Sequence, residues 1–251
     1  MLFGRLPRRS NKDEAEKPFW ISYSDLMTAC MTLFLVVMAV TIVSLEKKYE
    51  TKEAQERFKA IGTCFEELKG NAKSTFPAAK LDYNSNDAIR INLGSVVNFK
   101  VNKSDIGLDG IDFLRRYIPA ILNIVKSASC KPYFRRVVVE GYTDIDGEYL
   151  PNLNLSLRRS EQVVRSLSPC KYSSVPISKA TAKEVMDLFL VGGFSFNSFN
   201  PDKAENRVVV LKLEFWQVGE EARFISDNPR KIEISNRTEL LNKKFDQGCE
   251  S

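Results

Sequence analysis

Asp25 stands at the head of a run of twenty residues without a formal charge, Leu26 to Leu45 (LMTACMTLFLVVMAVTIVSL). A carboxylate in such a run costs roughly 2.5–3.5 kcal/mol on insertion scales, so it normally faces a protein partner or a water-filled path. At helical spacing Ser22, Asp25, Ala29 and Thr32 form one small, partly polar stripe, with Thr28 beside it. Small residues admit a neighbouring helix closely, and hydroxyls solvate a cation or share a proton. Asp25 is therefore a candidate ion-carrying group, with Ser22, Tyr23 and Thr28 around it. Position alone also allows a carboxylate at the interface, reaching headgroups or capping the helix.

A second constellation lies far downstream. Gly141-Tyr142-Thr143-Asp144 follows an apolar strand, Gly147 turns the chain, and Asn152, Leu155, Ser156, Arg158 and Arg159 open a helix. A strand-end carboxylate and a helix-start arginine put opposite charges at the carboxyl edge of a sheet, where α/β folds bind ligands. A zwitterionic amino-acid end group suits the pair. Arg159 would clamp its carboxylate with two parallel hydrogen bonds and Asp144 would take its ammonium. The helix N-terminus would add donors. A structural Asp–Arg salt bridge between turn and helix fits the same residues.

Composition narrows the chemistry. The 251 residues contain no histidine, which removes Ser-His-Asp and Cys-His nucleophiles and His-ligated metal sites. No C-x-x-C exists, so zinc is not expected. Asp144 and Glu148 are close in sequence, but no motif places a second carboxylate, so neither an enzyme nor a cofactor is expected. With 37 basic and 32 acidic residues the formal charge is +5, too small and dispersed for direct nucleic-acid binding. The 43% apolar content is enough for one domain with a core.

The elements that must hold these residues follow from hydropathy and period. At 1.5 Å per residue the apolar run spans about 30 Å of hydrocarbon, so it is read as an uncleaved anchor in contact with lipid. Trp20 and Tyr23 precede it at interfacial positions. Residues 1–18 hold five basic and three acidic side chains, and residues 46–59 hold five and four. That bias places the N-terminus in the cytoplasm. Cys64, Cys130, Cys170 and Cys249 all follow the span, an even number suited to an oxidising compartment. A strand-helix unit brings Cys130 and Cys170 to one sheet edge, which favours that bridge and leaves Cys64 and Cys249 to pair or stay free. Isolated buried thiols are the alternative.

Ala54, Phe58, Ile61, Phe65, Leu68 and Ala72 recur as a heptad seam. It serves either self-association of two copies, the favoured reading, or a helix laid against the following domain. Strands are expected over 87–93, 136–140, 190–194 and 207–215, with the 136–140 strand covered on both faces. Helices are expected from an Asp109 cap to Val125, over 153–168 and over 178–188, and a further one over 238–245. This is an α/β sandwich, a sheet on one side and helices on the other.

Two stretches carry a family resemblance. Trp20-Ile21-Ser22-Tyr23-Ser24-Asp25-Leu26-Met27-Thr28-Ala29 resembles the signature of MotB-type stator subunits, an aromatic, then Asp, then Met-Thr entering a single span. The resemblance implies that Asp25 carries a translocated ion; a proton is the preferred reading and sodium the alternative. Gly141-Tyr142-Thr143-Asp144, Gly147, Asn152, Leu155, Ser156 and Arg159, with Asn206-Arg207-Val208-Val209 closing, resemble the OmpA-like peptidoglycan-binding domain. That implies Asp144 and Arg159 hold the diaminopimelate of the cell-wall stem peptide, with Thr143, Asn152 and Leu155 at the site. The segment 167–206 departs from the pattern: it is long, and Gly192-Gly193-Phe194-Ser195 replaces Gly-x-Gly-Glu-x-Pro.

The short arm ending in Glu16-Lys17-Pro18-Phe19-Trp20 is similar to the MotB-like subunits of Zorya anti-phage defence. The resemblance implies a homodimer at the centre of a MotA-like multi-span partner (ZorA in that system), gripping peptidoglycan from the inner membrane. A flagellar MotB-type stator subunit and a passive wall anchor are the alternatives. The expected layout is a cytoplasmic arm (1–18), a span (19–45), a linker or dimerisation helix (46–82), a periplasmic OmpA-like domain (83–217) and a tail (218–251).

Overall fold

The computed structural model describes residues 12–77, 80–84, 88–94, 96–97, 99–169, 173–196, 206–218 and 220. The candidate helix 238–245, Cys170 and Cys249 lie outside them. The chain divides into two compact units, one ending at Ala54 and one beginning at Gln55.

The first unit is the leading part of helix α1, which runs Lys12–Thr75. Every described side chain from Trp20 to Glu56 is exposed, so none of the described residues covers the apolar surface. Lipid is the solvent such a surface requires. Among the described residues α1 is the one helix long and apolar enough to cross a membrane. The hydroxyls within the Leu26–Leu45 run are satisfied internally, as a hydrocarbon environment demands. Thr28, Thr41 and Ser44 donate to carbonyls four residues back at 2.7 Å.

The second unit is a five-stranded sheet in the order β1-β2-β5-β3-β4. The strands are β1 Lys80–Asn84, β2 Ala88–Asn92, β3 Phe134–Gly141, β4 Phe189–Gly193 and β5 Val209–Phe215. Only β3 and β4 pair in parallel, because α3 (Tyr149–Ser166) and α4 (Lys179–Leu188) form the crossover between them. The helix α2 (Leu108–Val125) neighbours α3. Alternation sorts the faces. Val209, Leu211, Leu213 and Phe215 of β5 and Val137 and Val139 of β3 point into one core with Leu114, Ile118, Ile121 and Val163. The other face carries cross-strand ion pairs, Arg136–Glu214 at 2.7 Å and Arg90–Glu140 at 2.6 Å. The α/β sandwich is therefore as expected.

Four expectations are corrected. β3 is not covered on both faces: Val138 is half-buried between two buried valines. Asp109 does not cap α2. Gly107 is the N-cap, and Asp109 lies in the first turn. The domain does not begin at residue 83, since the compact unit starts at Gln55 and β1 covers 80–84. β1 escaped notice because an edge strand with only Leu81 and Tyr83 as apolar residues has too short an alternation to register. The heptad seam is the helix laid against its own domain: Ile61, Leu68 and Ala72 are buried with Cys64, while Phe58 stays exposed. Those buried positions are closed to a second copy.

The disulfide joins Cys64 to Cys130, not Cys130 to Cys170 or Cys64 to Cys249. Once α1 packs into the core, Cys64 on its buried face meets the turn between α2 and β3. Glu67, three residues on, accepts from Ser127 at 2.9 Å and Ser129 at 3.0 Å in that same turn.

Candidate functional site

Asp25 lies on α1 with its side chain exposed, as do Ser22, Tyr23 and Thr28 within one turn. The Trp20 and Tyr23 rings meet edge to face at 6.5 Å, an aromatic pair at the head of the apolar run. Because the Thr28 hydroxyl donates to Ser24 O, it presents lone pairs outward as an acceptor. The Thr32 hydroxyl likewise donates to Ala29 O at 2.9 Å, one turn further along the stripe. The helix thus offers one carboxylate and adjacent oxygen acceptors on its exposed surface.

In the second unit the downstream motif is folded into one cluster. β3 ends at Gly141, and α3 crosses it so closely that a Cβ there would stand 2.0 Å from Ser156 O. Glycine is the one residue that permits the contact. Gly193 plays the same part at the end of β4, where a Cβ would meet Leu157 N and Ser156 Oγ at 2.9 Å. Ser156 and Ser160 complete the close fit: Ser156 Oγ accepts from Ser195 N at 3.1 Å and Ser160 Oγ donates to Gly192 O at 2.8 Å. The next three residues, Tyr142, Thr143 and Asp144, are buried beside the start of α3. Gly147 turns the chain with φ +98°, and Asn152 Nδ2 donates to Asp146 O at 2.9 Å, pinning that turn.

Arg159 is 1% exposed. Its Nε donates to Lys103 O at 3.1 Å, Nη1 to Tyr142 O at 2.9 Å and Nη2 to Lys100 O at 3.5 Å. The guanidinium lies 5.1 Å from the Phe99 ring centroid, a cation–π contact. Burial pushes its pKa down to about 10; Asp144 opposes the shift and Arg207 adds to it. Asp144 Oδ2 accepts from Arg207 Nη1 at 3.1 Å. The cluster therefore holds one carboxylate and two guanidiniums. The Thr143 hydroxyl is buried without a hydrogen-bond partner, and its backbone N–H donates to Ser195 O at 2.8 Å.

Behind the cluster, Glu140 Oε2 accepts from Arg90 at 2.6 Å and from the Tyr142 hydroxyl at 2.9 Å. The Tyr142 ring stacks on Phe194 at 5.4 Å. Burial, with the Glu140 charge added, pushes the Tyr142 pKa up to about 12.

The structure thus brings Thr143, Asp144, Asn152 and Arg159 together, and leaves Leu155 half-buried on α3. The ion pair on Asp144 is made by Arg207 and not by Arg159. Sequence reasoning quoted Arg207 within the closing Asn-Arg-x-Val element without assigning it to the site. Strand register explains its position. Gly141 pairs with Val209 antiparallel, so two residues further on Thr143 stands opposite Arg207. Among the described residues no group of three or more His, Cys, Asp and Glu side chains is arranged to hold a metal ion.

Residues 7–57 match the family model described as membrane MotB of the proton-channel complex MotA/MotB. Over 220 residues the chain is 39% identical to Zorya protein ZorB of Escherichia coli O139:H28 (strain E24377A / ETEC), covering 85% of this chain and 86% of that protein. The chain belongs to the ZorB family. Solved structures similar to the ZorB-family chain include a MotB-like protein from Desulfovibrio vulgaris, 16% identical, with 64% of this chain and 98% of that one covered at a TM-score of 0.44. The cell wall anchor of the T6SS from Pseudomonas aeruginosa is 17% identical, with coverage of 60% and 96% and a TM-score of 0.38. The assignment rests on the ZorB relative and not on these. With one such apolar helix among the described residues and this family, the ZorB-family chain is a single-pass inner-membrane protein.

Proposed function

We propose that this chain is the peptidoglycan-anchored stator subunit of a proton-driven inner-membrane motor that acts in anti-phage defence with a MotA-like, multi-span partner (ZorA). It is not an enzyme. The N-terminus is cytoplasmic and the sheet domain periplasmic. Asp25 carries the ion, with Ser22, Tyr23 and Thr28 around it, at the contact with the partner. Moving one elementary charge across the membrane releases about 2.3 kcal/mol per 100 mV, and a fixed frame is needed for that work to turn anything. The wall supplies the frame: Asp144 meets the ammonium and the arginines the carboxylate of the diaminopimelate end group, with Thr143, Asn152 and Leu155 at the rim. A lone span cannot enclose an ion path, so two copies at the centre of the multi-span partner complete it.

The observation that carries this reading is ZorB-family membership of a chain that has both a carboxylate on its single span and a buried Asp–Arg cluster in its folded domain. The test is phage plating in a host that lacks flagella. Asp25→Asn is expected to abolish protection with membrane level and partner co-purification unchanged, and Asp144→Ala to abolish it with loss of binding to isolated sacculi. Full protection by Asp25→Asn would leave only a passive anchor.

A further inference from the structure

We propose that the Cys64–Cys130 disulfide is a tension strap: it passes load from the membrane helix straight to β3 and takes the 66 residues between the two cysteines out of the path. The inference rests on the stator reading above and adds how the chain carries the force that reading requires.

Chain connectivity fixes where load enters. Every pull between the span and the wall passes along the chain into the folded unit at Gln55, whatever its direction. What it meets first there is noncovalent. Arg57 Nε donates to Trp216 O, the Phe58 and Phe65 rings lie 6.2 and 5.6 Å from the Tyr83 ring, and Ile61 is buried. Contacts reached one at a time open one at a time, as in local unfolding. Beyond α1 the main chain leads to β1, an edge strand of five residues that pairs with β2 alone. A stator drawn through that route would shed α1 and then β1 before its load reached the wall-binding cluster.

The disulfide bypasses that route. Cys64 follows Ile61 by less than one helical turn, so the covalent bond is reached before the rest of the buried face is loaded. Cys130 is anchored on the other side. Its carbonyl accepts from Tyr133 N at 3.1 Å and from Phe134 N at 2.9 Å, and Phe134 is the first residue of β3. β3 is an interior strand, antiparallel to β5 and parallel to β4, so it has no free edge from which to peel. It runs directly into Tyr142, Thr143 and Asp144. Two hydrogen bonds, from Ser127 Oγ and Ser129 Oγ to the Glu67 carboxylate, brace the same junction. Load therefore crosses one covalent bond and one interior strand, while β1, β2 and α2 hang in a closed loop that carries no tension.

The test is phage plating in a host that lacks flagella, with sacculus co-sedimentation and the melting midpoint measured on the same full chains in detergent. Cys64→Ala/Cys130→Ala is expected to lose protection while keeping its membrane level and sacculus binding. Ile61→Ala loses buried packing in the same helix and keeps the bond, so it is expected to lower the midpoint and keep protection. A protease cleavage sequence inserted between β1 and β2 supplies the converse. After cleavage the two fragments are expected to sediment with sacculi as one disulfide-joined species, and cells carrying the cleaved chain to stay protected. Wild-type protection by Cys64→Ala/Cys130→Ala overturns the strap, and so does an equal loss of protection in Ile61→Ala at a matched midpoint. Should the double cysteine variant fail to bind sacculi, the cleaved chain decides. Protection lost while that chain still sediments means that load runs through the main chain, which overturns the proposal. Full protection by Asp25→Asn would instead overturn the motor reading, and this inference with it.

Discussion

Replacing Cys64 and Cys130 together by alanine opens a bond that closes a loop of 66 residues. On the chain-entropy model, a cross-link over that distance destabilises the unfolded chain by about 4 kcal/mol. Both residues are 0% exposed, so the substitution also removes buried sulfur and adds to the loss. For a unit of 150–250 residues each kcal/mol moves the unfolding midpoint by about 2–4 °C, and the expected drop is roughly 8–16 °C. Thermal melting of the full chain in detergent, with and without reductant, measures it, and reduction of the wild-type chain should reproduce most of the shift. Peptide mapping without reduction should recover the Cys64 peptide linked to the Cys130 peptide. Should Cys170→Ala lower the midpoint as far as Cys64→Ala, or a Cys130–Cys170 peptide appear, the docking of α1 argued here is wrong.

Further outcomes follow from the same packing. A chain begun at residue 83 is expected not to fold, because it lacks the Ile61, Cys64, Leu68 and Ala72 face and β1; near-UV circular dichroism and proteolysis test this. Within the full chain, Ile61→Ala should cost about 2–5 kcal/mol by cavity formation and Phe58→Ala far less, read from the melting midpoints. Gly141→Ala should destabilise by about 1–3 kcal/mol or more and abolish sacculus binding, since its Cβ displaces α3 from the β3 exit. Tyr142 and Tyr117 both have pKa values raised to about 12 from an ordinary 10, chiefly by burial. Their protonated forms favour the folded state. That stability is whole below pH 10 and is lost as pH rises toward 12. Tyr142→Phe should flatten the fall in melting midpoint over that window, with tyrosinate absorbance as the check.

The features legible in the residues were local ones. Twenty uncharged residues dictate a span by length alone, because hydrocarbon thickness sets the requirement. Alternation in Val209–Phe215 and helical spacing in Ile111–Val125 dictate one buried face each, and the layers follow. Gly141-Tyr142-Thr143-Asp144 and Arg159 sit close enough in sequence for their spacing to bring them together across one turn. Asp25 is read from its place at the head of the apolar run.

Which distant residues meet was decided only by the tertiary structure. The heptad seam has the same period whether it faces a second copy or its own domain, so periodicity could not select between them. The sheet and α2 selected its own core, and in doing so brought Cys64 to Cys130 across 66 residues. Arg207 reaches Asp144 across 63 residues because β5 pairs antiparallel with β3 in one register and no other. A register is set by the summed burial of a whole strand face, since a slip of one residue turns every side chain to the wrong side. That sum belongs to the folded sheet and to no short stretch of sequence, and it places the second guanidinium on the carboxylate.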